Sequence, residues 1–256
     1  MATETSMNDR IHGIILKQSD YRENGALVAV LSQEHGKLSL SASGVRKMTS
    51  KNAGSLLPFT YGEFTLDYRD DRTLFHLKSA HTLHYYRHVH EDLTASAAAN
   101  VLLETCDAMV MEGESDPLWN DAYAWLQKSL ELLEEGKRAD LVLGIFLARI
   151  LDASGMAPEA DQCVLCGKPS AAAISVKDGG FLCADCAQKA GMEPMPVASL
   201  RAFRLVNKAG FKDIDVLAAC TDNICATDSL LIDFLDQHGG IHIRSFAFFQ
   251  RLFDIE

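Results

Sequence analysis

The chain has 256 residues, 48% of them hydrophobic, and a formal net charge of −11. That is apolar material enough for one large domain or two small ones, and the charge excludes a protein that binds nucleic acid with its whole surface. Apolar stretches such as Leu141 to Leu147 fall far short of the roughly 18 residues a membrane span needs. The polar, acidic start from Met1 to Asp9 lacks the basic flank and apolar stretch of a secretory signal. A cytoplasmic setting is expected, where seven cysteines are reduced thiols or metal ligands rather than disulfides. Charge is spread unevenly: residues 1 to 85 carry 10 Lys and Arg against 9 Asp and Glu, and the remainder carries 14 against 26. No acid falls between His35 and Gly62, a window that holds Lys37, Arg46, Lys47 and Lys51.

Short runs of β-branched and apolar residues between turn signals predict five strands at the start: Ile11 to Lys17, Ala26 to Ser32, Lys37 to Val45, Tyr61 to Tyr68 and Thr73 to Ala80. Gly36 and the Arg69-Asp70-Asp71 cluster supply turns. Five strands in this span suit a small closed barrel of the oligonucleotide-binding type, with a sandwich as the other pattern-compatible solution. Gly44 to Leu57 is polar and basic and is expected to be a long loop between two strands. Phe59, Tyr61, Phe64 and Tyr68 are candidates for base stacking, although those of one parity should fill the barrel.

After Asp92 the period becomes helical. Leu93 to Met111, Trp119 to Leu133 and Ala139 to Ala153 are three predicted helices, the last apolar on most faces and therefore central. An insert from Asp161 to Gly191 breaks the pattern, and helices resume at Val197 to Ala209, Thr227 to Gln237 and Ile243 to Phe253. The chain thus reads as α+β, a barrel domain over 1–85 and a helical domain over 86–256 interrupted at 161–191.

The insert carries the strongest chemical signal. Cys163-Val164-Leu165-Cys166 and Cys183-Ala184-Asp185-Cys186 are two C-x₂-C half-sites. Two thiolates three residues apart reach one ion only across a sharp turn, which Gly167 permits. Ala173 to Val176, Lys177-Asp178-Gly179-Gly180 and Phe181-Leu182 read as a hairpin that brings the pairs together. A redox C-x-x-C needs no second copy across a hairpin, and chance burial of cysteines does not generate paired spacing. One structural Zn²⁺ on four thiolates, with no open position for substrate, is the expectation. Cys106, Cys220 and Cys225 fall in apolar helical contexts and read as core or near-core packing. His84 and His88 stand four apart in a histidine-rich stretch. No Glu sits between them as a zinc protease motif requires, and a polar linker between domains is the favoured reading. Phosphate-binding, nucleophile-elbow and dinucleotide motifs are all missing from the sequence, so a binding protein without a small-molecule substrate is expected rather than an enzyme.

The order Gly13-Ile14-Ile15-Leu16-Lys17, Asp20-Tyr21-Arg22-Glu23, Glu34-His35-Gly36-Lys37-Leu38, Ala42-Ser43-Gly44-Val45-Arg46, Ser50-Lys51 and Leu56-Leu57-Pro58-Phe59 resembles the N-terminal domain of the RecO family. His238-Gly239-Gly240, Ile243, Arg244-Ser245 and Phe248-Phe249 resemble its closing segment. The resemblance implies an oligonucleotide-binding barrel joined to a helical bundle, and a role in DNA repair and recombination through the RecF pathway. It further implies binding to single- and double-stranded DNA, annealing of complementary strands, and contact with RecR and with the acidic tail of the single-stranded-DNA-binding protein, so that RecA can load. A nucleoid association during repair goes with that role. Lys37, Arg46, Lys47 and Lys51 become the DNA-contact candidates. Phe146, Arg149, Arg201 and Arg204 become candidates for a hydrophobic, cationic pocket that takes the tail. The basic pattern is thinner here than is usual for the family, with Ser41 to Ser43 small and polar and the second domain acidic. The alternative is an interaction adaptor with little DNA affinity of its own.

Overall fold

A computed structural model describes residues 7–45, 52–69, 72–112, 118–222 and 224–253. By spatial contact the chain divides into two units. One takes in the described residues up to Glu91 together with Leu102–Glu131, and the other takes in Asp92–Val101 and the chain from Leu132 onward.

The first unit is built on a closed barrel. Its strands β1 (Met7–Tyr21), β2 (Gly25–Ser32), β3 (Gly36–Ala42), β4 (Thr60–Tyr68) and β5 (Leu74–Tyr85) follow the order β1-β2-β3-β5-β4, with β4 closing on β1. All neighbours are antiparallel except β3 and β5. Strict alternation builds the interior: Ala26, Val28 and Val30 of β2 and Leu38, Leu40 and Ala42 of β3 meet Ile11, Ile15, Phe64, Leu66, Phe75 and Leu77 in one buried cluster. Each large side chain buried there contributes roughly 1.5–3 kcal/mol. A register shift between Ile15 and Lys17 places a bulge at Leu16. It turns Lys17 outward, where unbroken alternation after Ile11 and Ile15 would have turned it into the core.

β5 runs beyond the expected end at Ala80. Past Leu77 its residues are mostly exposed on both faces, so the period-two apolar signal fades while the backbone stays paired to β4 as far as Thr60↔Tyr85. The segment expected to be a polar linker is therefore strand as far as Tyr85 and helix from Arg87. His84 lies on β5 and His88 on the short helix α1 (Arg87–Glu91), so the two do not share a helical face.

Helices α2 (Leu93–Met109) and α3 (Trp119–Glu134) follow, and the second unit is organised on α4 (Ala139–Ala153), which is buried over nearly its whole length. Against it pack α6 (Val197–Lys208), α7 (Ile214–Cys220) and α8 (Cys225–Gly239), and α9 (Phe246–Phe253) packs on α8. The insert supplies β6 (Ala173–Ser175), β7 (Gly180–Leu182) and α5 (Ala184–Lys189). Cys106 and Cys225 are buried as expected, but Cys220 is exposed, since it ends α7 at the surface. Among the described residues no helix is long and apolar enough to cross a membrane.

Candidate metal centre and nucleic-acid face

The insert folds as its spacing requires. Gly167 takes φ +72° and its N–H donates to the Cys163 carbonyl, so the first half-site closes on itself. β6 and β7 pair antiparallel from Ala173↔Leu182 to Ser175↔Gly180 and carry the second half-site to the first. Cys183 precedes α5, and Cys186 lies within it. The four sulfurs lie within 4.8 Å of one another, and the Sγ atoms of Cys166 and Cys183 are 3.6 Å apart. A tetrahedral ion with metal–sulfur bonds of about 2.3 Å needs sulfurs about 3.8 Å apart, so the donor set fits a metal ion. Burial disfavours a thiolate at Cys163, but backbone N–H groups of Cys183, Leu165 and Cys166 outweigh it and bring this thiol down to about 6. Hydrogen bonding to Cys183 and then Cys166 pushes Cys186 up to about 12. Without a cation the cluster thus favours the thiolate at Cys163 and the thiol at Cys186.

The ribbon is tied into the helices. Glu159 pairs with Gly180 as an isolated bridge, its N–H donating to the Gly179 carbonyl and its own carbonyl accepting from Phe181. Phe181, Phe203, Phe234 and His238 form a chain of ring contacts at centroid distances of 5.8, 6.2 and 5.4 Å, the last of them stacked. Nε2 of His238 lies 2.7 Å from the Val176 carbonyl.

On the barrel, the outward residues of β1, β2, β3 and β5 form two rows, Lys17–Ala29–Ser39–Leu74 and Ser19–Leu27–Ser41–His76. Small side chains make this face shallow. One cleft of about 400 Å³ lies along Lys17, Ser19, Ser39 and Leu74, bounded by Asp107 and Glu112. A second, of about 610 Å³, opens beside the β1–β2 turn. Lys17, Arg22 and Arg72 are exposed and have no carboxylate partner among the described residues.

Of the expected DNA contacts, Lys37 is on β3, but its ammonium donates to the Asp107 carbonyl and lies 3.4 Å from the Asp107 carboxylate, with the side chain only 14% exposed. Arg46, Lys47 and Lys51 lie outside the described residues. Lys17 and Arg22 were missed, and the bulge that exposes Lys17 has no signature in the residue pattern. Of the stacking candidates, Phe64 is fully buried in the barrel and Phe59 is nearly so.

The four expected pocket residues do not converge. Phe146 is fully buried in α4 and lines no surface. Arg201 borders a cavity of about 190 Å³ with Ala198, Ala202 and Cys220. Arg149 donates to the Asn207 carbonyl beside a different cavity, and Arg204 pairs with Asp161 at 2.8 Å.

Residues 7–86 match the family model "Recombination protein O N terminal", and residues 90–246 match "Recombination protein O C terminal". The DNA repair protein RecO of Bacillus pumilus is 30% identical over 94% of this chain and 93% of its own length. That of Limosilactobacillus fermentum is 30% identical over 96% and 90%, and that of Bacillus subtilis 25% identical over 96% and 95%. With family models matched over residues 7–86 and 90–246 and a relative 30% identical over 94% of its length, this chain of a closed five-stranded barrel and a helical unit belongs to the RecO family of DNA repair proteins.

Proposed function

We propose that this chain is a recombination mediator that holds DNA on its barrel and partners on its helical unit, lowering the barrier to strand exchange without covalent chemistry. In this role it anneals complementary strands and helps RecA onto single strands coated by the single-stranded-DNA-binding protein, in the RecF pathway. RecR and the acidic tail of the single-stranded-DNA-binding protein are its protein partners. The observation that carries the proposal is the cationic face of the barrel, where Lys17 and Arg22 have no carboxylate partner among the described residues; the acid-free window of the sequence adds Arg46, Lys47 and Lys51. Phosphates bind such a face by releasing counterions. The ion held by Cys163, Cys166, Cys183 and Cys186 is proposed to be Zn²⁺. It would supply structural closure of the ribbon, because all four positions are taken by protein sulfur.

Anisotropy of a labelled single-stranded oligonucleotide across a salt series tests the DNA assignment. Wild type is expected to bind with a clear negative salt slope, and the variant with Arg46, Lys47 and Lys51 all changed to Ala is expected to lose affinity and slope. A wild-type protein that fails to bind at low salt would leave the interaction adaptor as the better account, which the acidic balance of the chain beyond residue 85 favours.

A further inference from the structure

The turn joining β1 to β2 contains a backbone that its sequence does not favour. Arg22 takes φ +55°, the left-handed region where a side chain is costly and glycine is the default. Such strain persists when the surroundings hold it, and it clusters where a side chain must be aimed. Here the aim is visible: the Arg22 guanidinium lies over the Tyr21 ring, 5.0 Å from its centroid. Neither a carboxylate nor a backbone acceptor among the described residues takes it up.

Beside this pair is the cleft of about 610 Å³, lined also by Ser41, Ser43, Leu74 and His76, with Ser41 and His76 paired across β3 and β5. Leu74 is 39% exposed and is shared with the neighbouring cleft along Lys17. Tyr21 is half-buried, so its ring is held while one part remains open to solvent. The site therefore offers an aromatic ring, an apolar side chain, hydroxyls and, over the ring, one cation with no carboxylate partner among the described residues. Glu23 is the one carboxylate on its rim. In sequence, Gly44 of this cleft is followed after Val45 by Arg46, Lys47 and Lys51.

We propose that this cleft is a single-nucleotide subsite that takes an unpaired base against Tyr21 and Leu74 and its phosphate on Arg22, giving single strands an advantage over duplex. The inference rests on the DNA-binding proposal and adds to it a discrimination the basic segment cannot provide. Lysines and arginines meet phosphates of either form, whereas the face of a ring is reached only by a base that has left its stack. Successive phosphates would then run along the row from Arg22 toward Lys17.

The test measures anisotropy of a labelled dT oligonucleotide and of a blunt duplex of equal length, at one salt concentration, for the full chain and its variants. Tyr21→Ala is expected to weaken single-strand binding about tenfold, the scale of one lost base stack, with duplex binding changed less than twofold; Tyr21→Phe restores the single-strand value. Arg22→Gly relieves the left-handed strain, so it is expected to raise the melting temperature while lowering single-strand affinity, a combination that a purely structural role would not give. If Tyr21→Ala and Arg22→Gly leave the ratio of single-strand to duplex affinity unchanged while the triple Ala variant of the basic segment loses both, the subsite is wrong and DNA binding stands. If wild type binds neither oligonucleotide, both fall.

Discussion

The carboxyl of Asp228 in α8 lies directly against Gly144 in α4: a Cβ at position 144 would stand 2.6 Å from Oδ1. Asp228 is fully buried, and neither of its oxygens has a hydrogen-bond partner among the described residues. Burial raises its pKa well above the carboxylate range, Asp140 adds to the rise and Arg138 opposes it. The folded protein holds this proton to a higher pH than the unfolded chain, which ionises the acid near pH 4. A raised folded value means that stability is full below pH 4 and falls as pH climbs toward the raised value. Asp228→Asn is expected to melt above wild type at pH 7.5, by on the order of 1–3 kcal/mol, and to converge with it near pH 4. Calorimetry from pH 4 to 8 decides the matter; an Asn variant less stable at pH 7.5 overturns it.

Arg138 clamps the chain between α7 and α8. Its guanidinium holds both carboxylate oxygens of Asp140 and donates to the carbonyls of Thr221 and Asp222, while Asp140 accepts from the Ile224 N–H ahead of α8. The Asp140 side chain is only 3% exposed. Arg138→Ala would leave that carboxylate buried and unpaired, at a cost of about 3 kcal/mol. Urea unfolding should show the midpoint move with little change in slope, and a loss under about 1 kcal/mol would mean that water replaces the clamp.

Gly180 is irreplaceable for a different reason. A Cβ there would stand 2.3 Å from the Glu159 carbonyl oxygen and 2.7 Å from its nitrogen, and both are backbone atoms that hold the ribbon in place. Gly180→Ala is expected to separate β7 from residue 159. Hydrogen exchange should report it as lost protection at Phe181 and Glu159, with the barrel amides unchanged.

Metal removal should act on the ribbon first. One equivalent of Zn²⁺ is expected by elemental analysis, and Cys183→Ser should abolish it while Cys106→Ser retains it. The small ribbon cluster of Cys163, Ala173, Leu182, Cys183 and Ala187 buries little apolar surface, so chelation is expected to lower the melting temperature of the helical unit and expose Phe181.

Lys37 and Lys17 should behave unlike each other. Because Asp107 already engages Lys37, Lys37→Ala is expected to change oligonucleotide affinity less than about twofold. Lys17→Ala should lower the single-strand salt slope by about 0.7, one phosphate contact. Equal effects from the two would show that Asp107 yields Lys37 to DNA.

What could be seen in the residues followed from what a pattern can hold. Alternation in β2 and β3 and the paired cysteines with Gly167 predicted the barrel and the ribbon, because periodicity and ligand spacing are local properties. The extension of β5, the helix α7 and the outward turn of Lys17 were not legible. Each depends on backbone pairing or packing between segments distant in sequence, with no apolar period of its own. Phe146 was misplaced for the converse reason: the run that makes α4 central leaves no face for a partner. Asp228 gave no sign at all, since an acid in an amphipathic helix is ordinarily on its wet side.

The ribbon also bears on how the chain comes to be folded. α4 and α6 pack together, yet the whole segment from Ala153 to Val197 separates them in sequence, and bringing such ends together is an entropic toll on assembly. If the ribbon closed on a metal ion first, then, joined to residue 159 on one side and through the Met195 N–H to the Ala172 carbonyl on the other, it would turn that long connection into a short rigid one. Metal supply would then set the rate at which newly made protein reaches its native state as well as the stability it has once there, so scarcity of the ion should be felt first during synthesis.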